Sequence, residues 1–314
     1  MFRNKDYVLA IVREGGFSKA AEKLYISQPA LSATVKRIEE KLSVPIFDRT
    51  STPITLTEVG KEYVKQAYEI ERMEQDLERY ISDRVNFSAG EIKIGASSLF
   101  SAFLLPSMIS DFNKKYPRVS IKIFENNTKS LMKELATGTL DIIIDNAVVK
   151  NENFIASFYT SELLLLAVPA SFDVNDRLRA FALSAADVKE GRHLEEQRSV
   201  SLEEFIDFPF ILLYSENDTG KRADLLFKKH GLTPDVIFRF DQQMTSYSIS
   251  CSGLGISFIS DTLVKNIASN SEMRYYRLQD SETARNIYFI QKKNRYHSLA
   301  CQKFIEHNIQ ESNT

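Results

Sequence analysis

From Thr57 to Arg84 the chain runs without a proline and with a single glycine, Gly60. Val59, Tyr63, Ala67, Ile70, Met73, Leu77 and the pair Tyr80/Ile81 recur there at steps of three and four, and Glu, Lys, Arg and Gln crowd the other positions. That spacing lies close to the 3.5-residue seam of a coiled coil. A helix over this run would extend roughly 40 Å at about 1.5 Å per residue, more than one globular domain needs. Its apolar seam has to be covered, either by a second copy of the helix or by the C-terminal part of the same chain. The run divides the chain into an N-terminal module (1–57), a linker helix (58–86) and a C-terminal domain (91–314), with Asn86-Phe87-Ser88-Ala89-Gly90 as a hinge.

Composition narrows the class. With 314 residues, 43% apolar and 26% charged, the chain can build more than one core. The N-terminus lacks the apolar stretch of a signal peptide, and no run approaches the roughly 18 apolar residues a bilayer requires. A cytoplasmic protein with no membrane partner is expected. Cys251 and Cys301 lie far apart, and the four histidines are scattered without metal-ligand spacing. Free thiols, no metal and no cofactor are therefore expected. The net charge of −2 is unevenly spread: residues 1–60 hold nine Lys/Arg against seven Asp/Glu, and the remainder 31 against 35. A basic N-terminal module permits nucleic-acid binding without establishing it.

Within that module, Tyr7 to Val12 fits a short amphipathic helix halted by Gly15-Gly16. Ser18 is a candidate N-cap for a second helix, with Phe17 stapling its entry and Ala20, Ala21 and Leu24 facing inward. Ser27 caps a third helix, with Pro29 in its first turn, where a missing N–H costs nothing. On this helix Leu31, Val35, Ile38 and Leu42 form one apolar stripe. Pro29, Ser32, Ala33 and Lys36 fall opposite, with Gln28 at the leading edge. Such a helix suits a major groove, where Ser and Gln bond base edges and Lys and Arg neutralise phosphates. By pattern alone it equally suits a three-helix packing unit with a solvated polar face. Ile46-Phe47 and Ile54-Thr55-Leu56, separated by Asp48-Arg49-Thr50-Ser51-Thr52-Pro53, read as a hairpin wing that lets Arg49 reach the backbone or minor groove.

Three segments carry a family resemblance: Phe17 to Ser32 (FSKAAEKLYISQPALS), Pro45 to Arg49 (PIFDR) and Leu56 to Gly60 (LTEVG). In order and spacing across residues 7–60 they resemble the signature of LysR-type transcriptional regulators, and they are far more specific than a generic helix-turn-helix pattern. The resemblance implies an all-α winged helix-turn-helix followed by a two-lobed α/β sensor like the type 2 periplasmic binding proteins. It implies double-stranded operator DNA and a small-molecule effector as partners, and linker helices paired between subunits in a homodimer or homotetramer. It places Ser18, Ser27, Gln28, Pro29 and Ser32 at the DNA, with Lys36, Arg37 and Arg49 on phosphates. Ala33 and Thr34 depart from the Arg-Gln often found after the second Ser, so an operator sequence does not carry over.

Beyond residue 91 short strands alternate with helical stretches, the pattern of an α/β fold with parallel strands. Strands are expected at 91–95, 119–124, 140–144, 159–169, 210–214 and 286–291, and helices at 100–115, 128–137, 219–230 and 243–253. Lobe I then takes about 91–162 and 266–314, lobe II about 163–265. Polar residues meet helix starts at Ser97-Ser98, Asn126-Asn127-Thr128, Ser215 to Thr219 and Gln242 to Thr245. Each could be an ordinary cap. Together, at strand ends in two lobes, they suggest a shared cleft. The resemblance assigns effector contacts to Ser97, Ser98, Thr128, Asn217, Thr219 and Gly220. Helix N-termini favour an anionic effector, a leaning that Glu216 and Asp218 weaken. Residues 171–208 exceed the family pattern and read as a lid, an interface or surface decoration.

No hydrolase, P-loop or dinucleotide motif is present, and the pairs Glu39-Glu40 and Glu203-Glu204 read as solvated helix faces, so no enzyme is expected. A solute-binding protein would share the sensor fold but not the N-terminal module. A thiol-responsive regulator would use Cys251 or Cys301, and neither has the adjacent cation of a reactive thiolate.

Overall fold

The computed structural model describes residues 2–50, 53–85, 90–146 and 152–312. Ser51 and Thr52 of the expected wing turn and residues 86–89 of the expected hinge lie outside them. The chain divides into two compact units, Met1–Ser82 and Asp83–Thr314.

In the first unit α1 (Lys5–Glu14), α2 (Phe17–Lys23) and α3 (Gln28–Leu42) are followed by the short antiparallel strands β1 (Phe47–Asp48) and β2 (Thr55–Leu56) and by α4 (Glu58–Val85). Val8, Leu9, Ile11, Ala20, Ala21, Leu31, Val35 and Ile38 form its core. The linker seam is divided. Tyr63 and Ala67 are buried in this same core, whereas Met73, Leu77, Tyr80 and Ile81 are exposed. The start of the seam therefore closes its own module, aided by ion pairs from Lys5 to Glu74 and from Arg13 to Glu71. Ser18 is not the cap of α2. Gly15, left-handed at φ 70, ends α1, and with only Gly16 between them α2 begins at Phe17, leaving Ser18 exposed in the first turn. Phe17 packs edge-on against Phe47 at 5.4 Å.

The second unit opens with β3 (Gly90–Ala96), α5 (Ser98–Phe103), α6 (Leu105–Lys115), β4 (Val119–Glu125), α7 (Thr128–Thr137) and β5 (Ile142–Asp145). The single helix expected over 100–115 is two, because Pro106 starts a new helix at its first turn. A 16-residue strand, β6 (Phe154–Pro169), follows. Its first part pairs with a late strand over Ala284–Lys292 and its last part, from Leu164, enters a second sheet.

Next come α8 (Val174–Arg177), α9 (Ala185–Lys189), β7 (Ser199–Val200), β8 (Pro209–Leu213), α10 (Asp218–Lys229), β9 (Asp235–Phe240), α11 (Gln243–Cys251), β10 (Ile256–Ser260), α12 (Asp261–Asn266), β11 (Met273–Leu278), β12 (Ala284–Lys292) and α13 (Leu299–Ser312). The first sheet has the order β4-β3-β5-β12-β6 and the second runs from β6 through β10 and β8 to β9, with β11 on the other side of β6. Both sheets are mixed. β3 lies parallel to β4 and β5, and β8 parallel to β9 and β10, but β6 runs antiparallel to all of its partners. β11 pairs in the second sheet, so the chain returns to the first lobe across residues 279–283, not near 265 as the strand pattern had suggested.

Residues 171–208 are built into the second lobe. Val174, Val200, Leu202 and Phe205 join its core, and the fully buried His193 meets Asp261 at 2.9 Å. Burial raises the Asp261 carboxyl, but hydrogen bonds from His193 and Lys265 outweigh it and hold the group below the usual carboxylate range. Asp261 also accepts from the N–H of Leu163, where β6 passes between lobes. The segment thus buttresses a crossing strand, which a lid or surface ornament would not do.

α10 seats on β8 through Gly220, where a Cβ would strike the carbonyls of Leu213 and Tyr214. Gly220→Ala should therefore destabilise the second unit by about 1–3 kcal/mol, the range for overpacking a close contact. Urea unfolding should show this loss, while the melting of the N-terminal module should be unchanged.

Candidate functional site

Each unit carries a candidate surface among the described residues. On the first, Ser27 caps α3, its hydroxyl accepting from the N–H of Ala30 at 3.4 Å. Ser27, Gln28, Pro29, Lys36 and Arg37 are exposed and Ser32 is half-buried, opposite the buried stripe of Leu31, Val35 and Ile38. The turn between α2 and α3 is made by Tyr25, left-handed at φ 55 and 96% exposed, a conformation uncommon for a bulky residue.

Arg49 is the junction of this surface. Its Nη1 donates to Ser32 Oγ at 3.4 Å and its Nη2 to Glu39 Oε2 at 3.0 Å, and its guanidinium lies 5.2 Å from the centre of the Phe17 ring. Glu39 in turn accepts from the N–H groups of Ile46 (2.8 Å) and Phe47 (3.2 Å). Glu39 is therefore a tie between α3 and the wing, which corrects its reading as part of a solvated face. That role was invisible to helical spacing because the partners come from a later strand. Glu40 is exposed and faces Lys36 at only 4.0 Å. The hydroxyl of Thr34, at a position departing from the family pattern, donates to the carbonyl of Ala30 at 2.9 Å, so it is turned onto its own helix. At the C-terminal end of α3, Arg37 and Lys41 share a groove with Arg3 and Asn4.

In the second unit a cleft opens between the two lobes. Ser97, Ser98, Thr128, Asp145 and Asn146 line it from the first lobe, and Asn217, Asp218, Thr219, Gln242 and Gln243 from the second. Ser98 donates to Gln242 across it. Thr128 donates to Asp145 at 2.8 Å, and Asn217 Oδ1 accepts from the N–H of Thr219 at 2.9 Å. Ser97 makes no side-chain cap bond, and α7 is capped by Asn127. The structure thus brings five of the six expected effector residues onto one surface. Gly220 is the exception: it does not line the cleft and packs α10 instead.

The floor of the cleft holds a group the sequence reading missed. Arg285, with a side chain only 2% exposed, donates through Nε to Glu162 at 2.7 Å and through Nη1 to Asp218 at 3.0 Å and Thr219 at 2.9 Å. Burial lowers the pKa of this guanidinium, but the Glu162 and Asp218 carboxylates more than compensate, raising it above the ordinary arginine value. Glu162 also accepts from Thr262 (2.7 Å) and Asn146 (3.0 Å), and Gln243 donates to Thr219 at 2.7 Å. One signal was available in the sequence. Arg285 occupies the same alternating strand face as the buried Ile287 and Phe289, an inward place where an arginine needs a partner. Asp145, at the carboxyl end of β5, was likewise legible from its place at a strand end.

Residues 2–61 match the family model described as a bacterial regulatory helix-turn-helix protein of the lysR family, and residues 86–312 match the LysR substrate binding domain. The uncharacterized HTH-type transcriptional regulator YcgK of Bacillus subtilis (strain 168) is 30% identical over 304 residues, spanning 96% of this chain and 91% of that protein. A probable RuBisCO transcriptional regulator of Chlorokybus atmophyticus is 28% identical, spanning 94% and 90%. The crystal structure of full-length CbnR complexed with its target DNA shares the fold at a TM-score of 0.64 and 17% identity, over 99% of both chains. The chain belongs to the LysR family of transcriptional regulators, with a helix-turn-helix for DNA and a C-terminal effector-binding domain.

Proposed function

We propose that the exposed side of α3 reads the operator and that the cleft between the lobes holds the effector. The observation that carries the first reading is the polar face of α3, with Gln28 and Ser32 presented beside an Arg49 already pinned to Ser32 and Glu39. In this reading Ser27, Gln28, Pro29 and Ser32 meet bases, while Ser18, Lys36, Arg37 and Arg49 stand at the phosphates. Gln28→Ala with Ser32→Ala should remove about 1–3 kcal/mol per lost base contact. Salt-sensitive nonspecific binding should remain. Footprinting on genomic fragments measures this, and an unchanged footprint rejects the assignment.

Effector binding would act by shifting the balance between two arrangements of the lobes, which requires different affinities for the two. Among the described residues, β6 and residues 279–283 carry the chain from one sheet to the other, so a change at either segment acts on both lobes. Replacing Ser98 and Thr128 by Ala should blunt induction from a reporter promoter while leaving DNA affinity intact. Full induction in that variant would remove the cleft from the scheme.

The assembly we infer is a homodimer, or a pair of dimers, working on DNA in the cytoplasm. Met73 and Leu77 are 56% and 59% exposed on the helix whose earlier seam residues Tyr63 and Ala67 are buried, and apolar residues at seam spacing favour a second copy as their cover. Leu77→Glu should shift the protein toward monomer in light scattering and weaken operator binding at least about tenfold, since one half-site per chain remains. A dimer that persists in this variant argues against the seam.

A further inference from the structure

We propose that the effector is a small zwitterion carrying both a carboxylate and an ammonium group, as an α-amino acid does; this rests on the cleft being the effector site. The starting point is Arg285. Nε and Nη1 carry all of its hydrogen bonds, and Nη2 has no partner among the described residues, although the side chain is 2% exposed. Because Arg285 lines the cleft, Nη2 is left for a group that enters it, and the chemistry a guanidinium selects is a carboxylate or a similar oxyanion. The N-termini of α7 and α10 flank the same space and add partial positive charge.

A purely anionic ligand fits poorly. Asp145 and Asp218 line the cleft from opposite lobes, the latter also held by Arg222 at 2.8 Å, so a simple carboxylate would face aspartate oxygens to which it has no hydrogen to donate. A purely cationic ligand would suit the two aspartates but leave Arg285 Nη2 empty. A ligand that places its carboxylate at Arg285 and its ammonium toward Asp145 or Asp218 answers both. Apart from Leu99 and Phe100 the lining is polar, which suits a small ligand, not an aromatic one. The arrangement also bears on response: a carboxylate arriving at Arg285 competes with Asp218, the first residue of α10, and an ammonium re-engages it. Ligand charge is thereby coupled to the position of a second-lobe helix relative to first-lobe Asp145.

The test uses the full-length protein in thermal-shift titrations with each of the twenty protein amino acids. For every one that stabilises, its 2-oxo acid and its decarboxylated amine are then titrated. The zwitterion should raise Tm, and each truncated analogue should bind at least about tenfold more weakly, the loss expected for one charged hydrogen-bonding partner. Asp145→Asn should weaken the amino acid while leaving the oxo acid no weaker; Asp218→Asn serves if that variant does not fold. The absence of a shift with all twenty overturns the proposal, as does an oxo acid or amine that binds as tightly as its parent. The Ser98→Ala/Thr128→Ala variant separates the two readings. If it abolishes a shift given by an oxo acid or amine, the cleft stands and the ligand class falls. If any stabilising ligand still binds it unchanged, the cleft reading falls as well.

Discussion

The sensor depends on two strands that are shared between lobes or pinned where the lobes meet. β6 gives its first ten residues to one sheet and its last six to another, and β12 pairs with it up to the point of transfer. At that point Arg285 and Glu162 are direct neighbours in the antiparallel register. Their buried ion pair is hydrogen-bonded further by Asn146, Thr219, Asp218 and Thr262. A buried pair of this kind adds little net stability, but removing one partner typically costs about 3–5 kcal/mol because a charge is left stranded. The network is better understood as a device of position. It fixes Asp218 and Thr219 relative to the first lobe and makes any charged ligand at the cleft a competitor within it.

The N-terminal module uses the same principle at lower cost. Glu39 takes two backbone N–H groups and a guanidinium, so α3 and the wing move as one body. Arg49 is thereby held in one place instead of sweeping through solvent, and less conformational entropy is lost when a phosphate or base edge arrives.

What the sequence disclosed follows from what is local. Helical and strand periodicity located α3, α7 and α10 to within a residue, since one buried stripe and one cap define each. Polar helix starts foretold five cleft residues because a strand end opening into a helix is a contiguous signal. The failures lie where the decisive partner is distant. Glu39 meets residues seven and eight positions later in a different element, Arg285 meets Glu162 across 123 positions, and β11 joins the second sheet by pairing with a strand a hundred residues earlier. Ser18 failed as a cap for a smaller reason: α2 starts two residues earlier than a Ser18 cap requires, taking in Phe17, which packs on Phe47, and Ser18 itself.

The split course of β6 also dictates an order of events during synthesis. As the chain leaves the ribosome, every described strand of the second lobe is available once Leu278 has emerged, whereas the first sheet lacks β12, the strand that joins β5 to β6, until Lys292. β5 and the first half of β6 must wait with unpaired edges, and Ile143, Ile144 and Ile155 beside them, until β12 follows. A nascent regulator is therefore most exposed to misassociation while β12 is still being made, and that strand acts as the closing stave of the lobe that was begun first.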